Sequence, residues 1–264
     1  GDIHIPSSIG DLKSLNALEI SGMGIVGPMP SWIANLTSLT ALQLYDCGLS
    51  GPIPRFVAEL RRLKRLALCG CSFSGEIPSH VITNLTQLQI LLLYSNNLEG
   101  TLELQSFGKN MPYLIALDLS DNNLLVLDGE EDNSSASVSL PKLKTLVLGG
   151  CGMSKFPEFL RRQDEIDWLD LSYNQIRGAV PGWAWELWNG MVYLVLSNNE
   201  FTSVGHGHLL PLQDMIVLDL SNNLFEGTIP IPQGSADALD YSNNMFSSVP
   251  AHLSSHLDDV ALFL

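Results

Sequence analysis

The sequence predicts an α/β solenoid: a right-handed superhelix with a parallel β-sheet on its concave face and irregular, 3-10 or short-helical segments on its convex side. Three observations predict it. Paired apolar residues at strand spacing return about every 24 residues along the 264-residue chain. An Asn or Cys follows each pair at a fixed offset. A glycine and then an apolar-Pro dipeptide follow in many of the repeats. Leu218-Asp219-Leu220-Ser221-Asn222-Asn223-Leu224-Phe225-Glu226-Gly227-Thr228-Ile229-Pro230 carries all three features. One such repeat cannot bury its own leucines, whereas a stack of them can.

The strand pairs set the register. They are Leu18/Ile20, Leu42/Leu44, Leu66/Leu68, Leu91/Leu93, Leu117/Leu119, Leu146/Leu148, Leu169/Leu171, Leu194/Leu196, Leu218/Leu220 and Leu239/Tyr241. Alternation with polar neighbours marks each pair as a half-buried strand. The steps between first members run from 21 to 29 residues, the period of a leucine-rich repeat and too short for helix-pair repeats of about 33 or more. Parallel strands about 4.8 Å apart would make ten repeats a sheet roughly 45 Å across, and we expect residues 1–264 to form one such body.

The position five after the first strand leucine is where the backbone must leave the strand. It holds Met23, Cys47, Cys71, Asn96, Asn122, Cys151, Asn174, Asn199, Asn223 and Asn244. An inward Asn side chain there can pair backbone groups that the turn leaves open. We expect a ladder built from Asn and Cys, locally weaker at Met23.

Beyond the turn, Ile25/Gly27, Leu49/Gly51, Phe73/Gly75, Leu98/Gly100, Ile176/Gly178 and Phe225/Gly227 repeat one spacing, followed by Met29-Pro30, Ile53-Pro54, Ile77-Pro78, Val180-Pro181 and Ile229-Pro230. These residues resemble the L-x-G-x-I-P signature of plant-type extracellular leucine-rich repeats, and the resemblance covers essentially the whole chain. Leu117 to Leu124 with Leu127-Asp128-Gly129, then Lys155 to Arg161, Leu169 to Ser172 and Trp183-Ala184-Trp185-Glu186, resemble plant receptor-like proteins of the wilt-resistance type. That resemblance implies an ectodomain anchored by one transmembrane helix, with no kinase of its own, that recognises a protein or peptide and signals through partner receptor kinases in defence. Two other readings share the repeat: the ectodomain of a leucine-rich repeat receptor kinase, and a secreted inhibitor of a cell-wall-degrading enzyme.

Gly1 to Pro6 reads as the back half of an earlier repeat, and Val260 to Leu264 as the strand of an eleventh. Neither end shows a cap-like cysteine pair, so we expect an internal piece of a longer ectodomain that, isolated, tends to aggregate. Residues 128–139, acidic and Ser-rich, fall in the longest step and read as a solvated loop insertion.

Charge narrows the partners. Thirteen basic and 28 acidic residues leave a formal net charge of −15, which disfavours nucleic acid or an anionic membrane surface. No apolar run approaches the length of about 18 residues that spans a bilayer, so we expect no membrane contact by these residues themselves. Catalytic signatures are lacking: there is no G-x-S-x-G elbow, phosphate-binding loop or HExxH. We therefore expect neither an enzyme nor a cofactor site. His206/His208 and His252/His256 are pairs without a third ligand, and we expect no metal. Asp118, Asp170, Asp219 and Asp240 recur with the repeat, as a structural row does.

Cys47, Cys71 and Cys151 sit at the turn position, so we expect buried free thiols there. Cys69 should point outward, its redox state open. Asn35-Leu36-Thr37, Asn84-Leu85-Thr86 and Asn133-Ser134-Ser135 are glycosylation sequons, at Asn35, Asn84 and Asn133.

Residues alternating with the strand leucines face the ligand side. In the C-terminal repeats they read as monotonous Asp/Ser: Asp170/Ser172, Asp219/Ser221, Asp240/Ser242. In the N-terminal repeats they vary, and Ile90 and Leu92 should be exposed beside two tyrosines. We expect Tyr45, Arg65, Ile90, Leu92 and Tyr94 to form a protein or peptide contact patch. Trp183, Trp185 and Trp188 we read as core filling.

Overall fold

The computed structural model describes residues 5–22, 24–127, 140–205, 207–251 and 260–264. The ladder position Met23, the insertion 128–139 with its sequon Asn133, and His206, His252 and His256 lie outside the described residues. The described residues group into two compact units, Gly1–Pro141 and Lys142–Leu264.

The architecture is that of a leucine-rich repeat solenoid. In the first unit, strands Ala17–Ser21, Ala41–Tyr45, Arg65–Cys69, Ile90–Leu92 and Ala116–Asp118 pair in sequence order, all parallel. Leu18, Leu42, Leu66, Leu91 and Leu117 stand in one register row. In the second unit, strands Thr145–Val147, Trp168–Asp170, Tyr193–Val195, Asp214–Asp219, Ser235–Asp240 and Ala261–Phe263 do the same, with Leu146, Leu169, Leu194, Leu218, Leu239 and Leu262 in a row. A one-residue slip would turn every leucine to solvent, so the alternation pins the register. Leu42, Leu66, Leu91, Leu117, Leu146, Leu169 and Leu194 are completely buried.

At the turn, each Asn satisfies four backbone groups at once. Asn199 is typical: its Nδ2 donates to the carbonyls of Leu171 (2.8 Å), Leu196 (3.1 Å) and Ser197 (3.2 Å), and its Oδ1 accepts from the N–H of Ile176 at 3.0 Å. Asn96, Asn122, Asn174, Asn223 and Asn244 repeat the pattern against their own neighbours. The cysteines keep only the donor half. Cys47 Sγ donates to Ile20 O at 3.4 Å and Tyr45 O at 3.2 Å, and Cys71 Sγ to Cys69 O at 3.3 Å. Cys47 and Cys151 are buried; Cys71 departs from the sequence expectation and is half-buried. All four cysteines are free thiols.

The residue just before the ladder position is left-handed in every repeat. It is Gly22, Asp46, Gly70, Ser95, Asp121, Gly150, Tyr173, Asn198, Asn222 and Asn243 in turn. The chain needs this kink to leave the strand and send the ladder side chain inward. Gly, Asn and Asp tolerate it best.

Behind the first unit's main sheet the chain forms a second one. Strands Val26–Gly27, Gly48–Gly51, Ser72–Gly75, Asn97–Glu103 and Asn123–Leu127 pair in parallel order. The returning segments are short: 3-10 helices Ser7–Asp11, Ser31–Asn35, Arg55–Glu59 and Glu158–Arg162, and α-helices Ser79–Asn84, Gln105–Asn110 and Gly182–Leu187. All but Gln105–Asn110 start directly after a proline whose φ lies between −71° and −58°. The proline ring sets that φ and stops strand pairing, which is the physical role of the apolar-Pro dipeptide.

An aromatic spine fills the second unit. Phe201, Phe225 and Phe246 stack at centroid spacings of 5.8 and 5.9 Å, each ring in its own repeat. Trp185 and Trp188 are buried, 6.0 Å apart, and Trp185 Nε1 donates to Val204 O. Trp183 is half-buried, with the Arg161 guanidinium 4.5 Å above its ring.

Candidate functional site

The outward positions of the first unit's main sheet form rows across the strands. One row is Ala41, Arg65, Ile90 and Ala116; the next is Gln43, Ala67, Leu92 and Asp118; a third begins Tyr45, Cys69. The structure therefore brings Tyr45, Arg65, Ile90, Leu92 and Tyr94 into one patch. All five are half-buried, so Ile90 and Leu92 are less open than their positions suggested. Ala67 lies between Gln43 and Leu92 and is fully covered, because its larger row neighbours close over it.

A polar chain holds the patch. Arg65 Nη1 donates to Gln43 Oε1 at 3.0 Å, and Tyr45 OH donates to the same oxygen at 3.3 Å. Gln43 Nε2 in turn donates to Glu19 Oε2 at 3.2 Å. One glutamine thus fixes a guanidinium and a phenol side by side.

Cys69 corrects the sequence reading. It occupies an outward row yet is only 1% exposed. A thiol is shorter than its neighbours, and the flanking tyrosines close over it. Its Sγ donates to Leu92 O at 3.4 Å, and Tyr94 bonds the thiol. Burial pushes the Cys69 thiol up to about 12, with Asp118 adding to the shift, and burial pushes Tyr94 up to about 12. Both groups stay neutral at physiological pH, so the patch carries Arg65 as its cation and no thiolate.

The second unit also departs from the sequence expectation. Its strands end at Asp170 and Asp219, so the alternation does not extend to Ser172 and Ser221, which are buried. The aspartates cap the turn: Asp118, Asp170, Asp219 and Asp240 each accept, through Oδ1, the N–H of the serine two residues on. A further outward row, not singled out from the sequence, lies two residues earlier along the strands. It runs Thr145, Trp168, Tyr193, Val217, Ala238 and Ala261. Trp168 and Tyr193 stack with centroids 4.6 Å apart and 27° between planes, and Trp168 is 43% exposed. The signal was present, since both residues immediately precede a first strand leucine.

The sequon residue Asn35 is exposed at the end of the 3-10 helix Ser31–Asn35, and Asn84 is half-buried at the end of helix Ser79–Asn84. Among the described residues, no group of three His, Cys, Asp or Glu is placed to hold a metal ion, and no helix is long and apolar enough to cross a membrane.

No family model matches the chain. Receptor-like protein 35 of Arabidopsis thaliana is 40% identical over 153 residues, covering 53% of this chain and 16% of that protein. Receptor-like protein 47 of the same plant is 34% identical over 188 residues, covering 69% of this chain and 22% of that protein. The chain thus spans about a fifth of the length of the curated relatives it matches. Among solved structures, PEPR1 in complex with AtPEP1 superposes with a TM-score of 0.73 at 22% identity, over 98% of this chain and 39% of that one. The HAESA receptor kinase ectodomain of Arabidopsis, in complex with an extended IDA peptide hormone, gives 0.67 at 24%, over 98% and 47%. A plant ice-binding protein gives 0.68 at 24%, over 88% and 71%. Likenesses at this identity speak to the fold, and the same fold presents its surface to different ligands. The chain is a leucine-rich repeat solenoid, and receptor-like proteins of Arabidopsis thaliana are among its sequence relatives.

Proposed function

We propose that the chain is a non-catalytic recognition segment from the ectodomain of a plant cell-surface receptor-like protein. In this reading it binds a protein or peptide on the exposed face of its main sheet and signals through partner kinases, probing for defence-related ligands at the outer side of the plasma membrane. The observation that carries the reading is the patch of Tyr45, Arg65, Ile90, Leu92 and Tyr94. Two aromatic rings, two aliphatic side chains and one guanidinium are held by the Gln43–Glu19 relay, the composition of a binding hot spot rather than of a catalytic centre. The sequence relatives bear the name receptor-like protein, which favours this reading over a receptor kinase or a secreted inhibitor. Glycans at Asn35 and Asn84 would sit on the returning segments and leave the sheet face open.

The test is binding of apoplastic protein and peptide fractions to the immobilised chain. The Leu92→Ala/Tyr94→Ala double variant is expected to weaken binding by at least about tenfold, as truncating two central anchors does. Equal binding by both proteins would remove the patch from the account.

A further inference from the structure

We propose that Cys47 and Cys71 are a redox pair: a small-molecule disulfide converts these two ladder thiols into one bridge that clamps strand Ala41–Tyr45 to strand Arg65–Cys69, at the end where Tyr45 and Cys69 leave the sheet. The inference shares with the reading above only its setting, the oxidising exterior of the cell, and does not depend on what the patch binds.

Three observations converge. First, the register brings the two positions together. Tyr45 pairs with Cys69, and the pairing runs on past the strands, because the N–H of Asp46 donates to the Cys69 carbonyl at 3.0 Å. Cys47 and Cys71 each lie two residues beyond that pair. They therefore stand one strand spacing apart, about 4.8 Å, inside the Cα separation of roughly 4.4–6.8 Å that a disulfide spans. Second, the two turns are in close contact. Asp46 and Gly70 both take the left-handed conformation that sends the next side chain inward, and a Cβ on Gly70 would run into the Asp46 carboxyl. Glycine thus lets the turn before Cys71 close on the turn before Cys47. Third, the sulfurs converge. Cys47 Sγ donates to Tyr45 O at 3.2 Å and Cys71 Sγ to Leu44 O at 3.8 Å, so both thiols rest on the end of one strand. The Cys71 thiol is in hydrogen-bond contact with the backbone and the thiol of Cys47.

The other cysteines do not compete. Cys69 occupies an outward row, where its Sγ donates to Leu92 O, and Cys151 belongs to the second unit. Cys71 is half-buried and Cys47 is buried, which orders the steps. Cys71 gives up its proton, and its thiolate attacks one sulfur of the small disulfide. That S–S bond breaks, and one small thiolate leaves and takes a proton. Cys47 then gives up its proton and attacks Cys71 Sγ in the mixed disulfide, expelling the second small thiol. Two protein thiols and one small disulfide become one protein disulfide and two small thiols. Burial pushes the Cys71 thiol up to about 11, so its thiolate is scarce and the exchange runs over hours rather than seconds. The bridge forgoes the weak bonds from sulfur to Ile20 O, Tyr45 O and Cys69 O, and closing the loop between residues 47 and 71 offsets that loss by restricting the unfolded chain. Asn96 and Asn122 hold the ladder in the next two repeats; a cysteine pair can also lock it.

The test incubates the full reduced chain, dilute and at about pH 8, with excess oxidised glutathione. Remaining thiols are capped with iodoacetamide in urea, and the chain is digested without reduction and read by mass spectrometry, beside Cys69→Ser and Cys71→Ser. A Cys47–Cys71 crosslink, lighter by two hydrogens than the two free peptides, is expected at least about tenfold over any other bridge, with Cys69 and Cys151 capped. Cys69→Ser should give the same yield, and Cys71→Ser should leave Cys47 a free thiol. The bridged chain should unfold at a higher urea midpoint than the reduced one, and dithiothreitol should restore the lower value. Glutathione that stays on Cys71 would overturn the pair, since it would show that the sulfurs do not reach bonding distance. So would a bridge through Cys69, a bridge between two chains, or no oxidation. An equal yield of the bridge in urea would overturn the role of the native register, and a lower midpoint on bridging would overturn the clamp. None of these outcomes bears on the patch, whose own test is binding.

Discussion

Tyr173 holds a φ of 53° with its ring 69% exposed. Other repeats place Asn198, Asn222 and Asn243 at the same point. A bulky side chain pays a steric cost in the left-handed region that Asn largely avoids. Tyr173→Asn is therefore expected to stabilise the fold by about 0.5–1 kcal/mol, read as a higher urea midpoint. A lower midpoint would mean the ring makes contacts worth more than the strain. The ladder residues carry the opposite expectation. Asn199→Ala would strip three buried carbonyls and one N–H of their partners in a single step. A loss of about 3 kcal/mol is expected, in the range for breaking a buried network, and a loss under about 1 kcal/mol would mean water replaces the amide.

At the scale of the element, the six-residue helix Gly182–Leu187 is too short to hold itself together. Pro181 sets its entry, and Trp185 anchors it. The indole is wholly buried against Trp188 and bonded to Val204 O, which lies in the following repeat. Trp185→Ala should cost about 3–5 kcal/mol through lost burial and the cavity left behind. Trp185→Phe keeps most of the volume and should cost about 1–2 kcal/mol, the share of the unsatisfied carbonyl. Equal losses from the two, in chemical denaturation, would show that the hydrogen bond and not the volume secures the helix. Gly205 closes the same corner. With φ at 59° and the Val180 carbonyl where a Cβ would stand, it permits the close approach that lets the turn after Val204 pack on Val180 and Gly182 of the preceding repeat.

For the molecule as a whole, the buried and half-buried thiols and phenols set an alkaline limit. Burial raises Cys69 to about 12 and Cys71 to about 11 from an ordinary value of 9.0, and raises Cys47, Tyr45 and Tyr241 in the same direction. The neutral, protonated forms are the ones the fold favours. Their contribution is complete below the unfolded value of about 9 and is lost as pH rises through the folded values of about 11 and 12. Urea midpoints should hold up to about pH 9 and then fall steadily, with alkylation of Cys47 and Cys69 in the native state slow throughout. A midpoint that is flat across that window would show that these groups ionise without disturbing the fold.

The period, the strand register and the ladder residues were legible in the sequence, because each depends on chemistry that a single repeat displays. Leucines two apart face one way, an Asn at the turn has backbone groups within reach, and a proline sets its own φ. That Tyr45, Arg65, Ile90 and Leu92 lie on the outward rows of the sheet was legible for the same reason, since alternation assigns faces. What tertiary structure alone decided lies between repeats. Cys69 sits on an outward row and is buried because taller tyrosines one strand away close over it. Val26–Gly27 and Gly48–Gly51 lie beyond the turn, where the sequence predicts irregular or short-helical segments, and become strands when stacking brings them into register. Trp168 lies just ahead of its strand leucine, and only its neighbour Tyr193 makes it part of a surface. The sequence alone determined which way the side chains within the strands point; only the tertiary structure decided where each strand ends, as at Ser172 and Ser221, and which side chains meet, because those distances run across repeats about 24 residues apart.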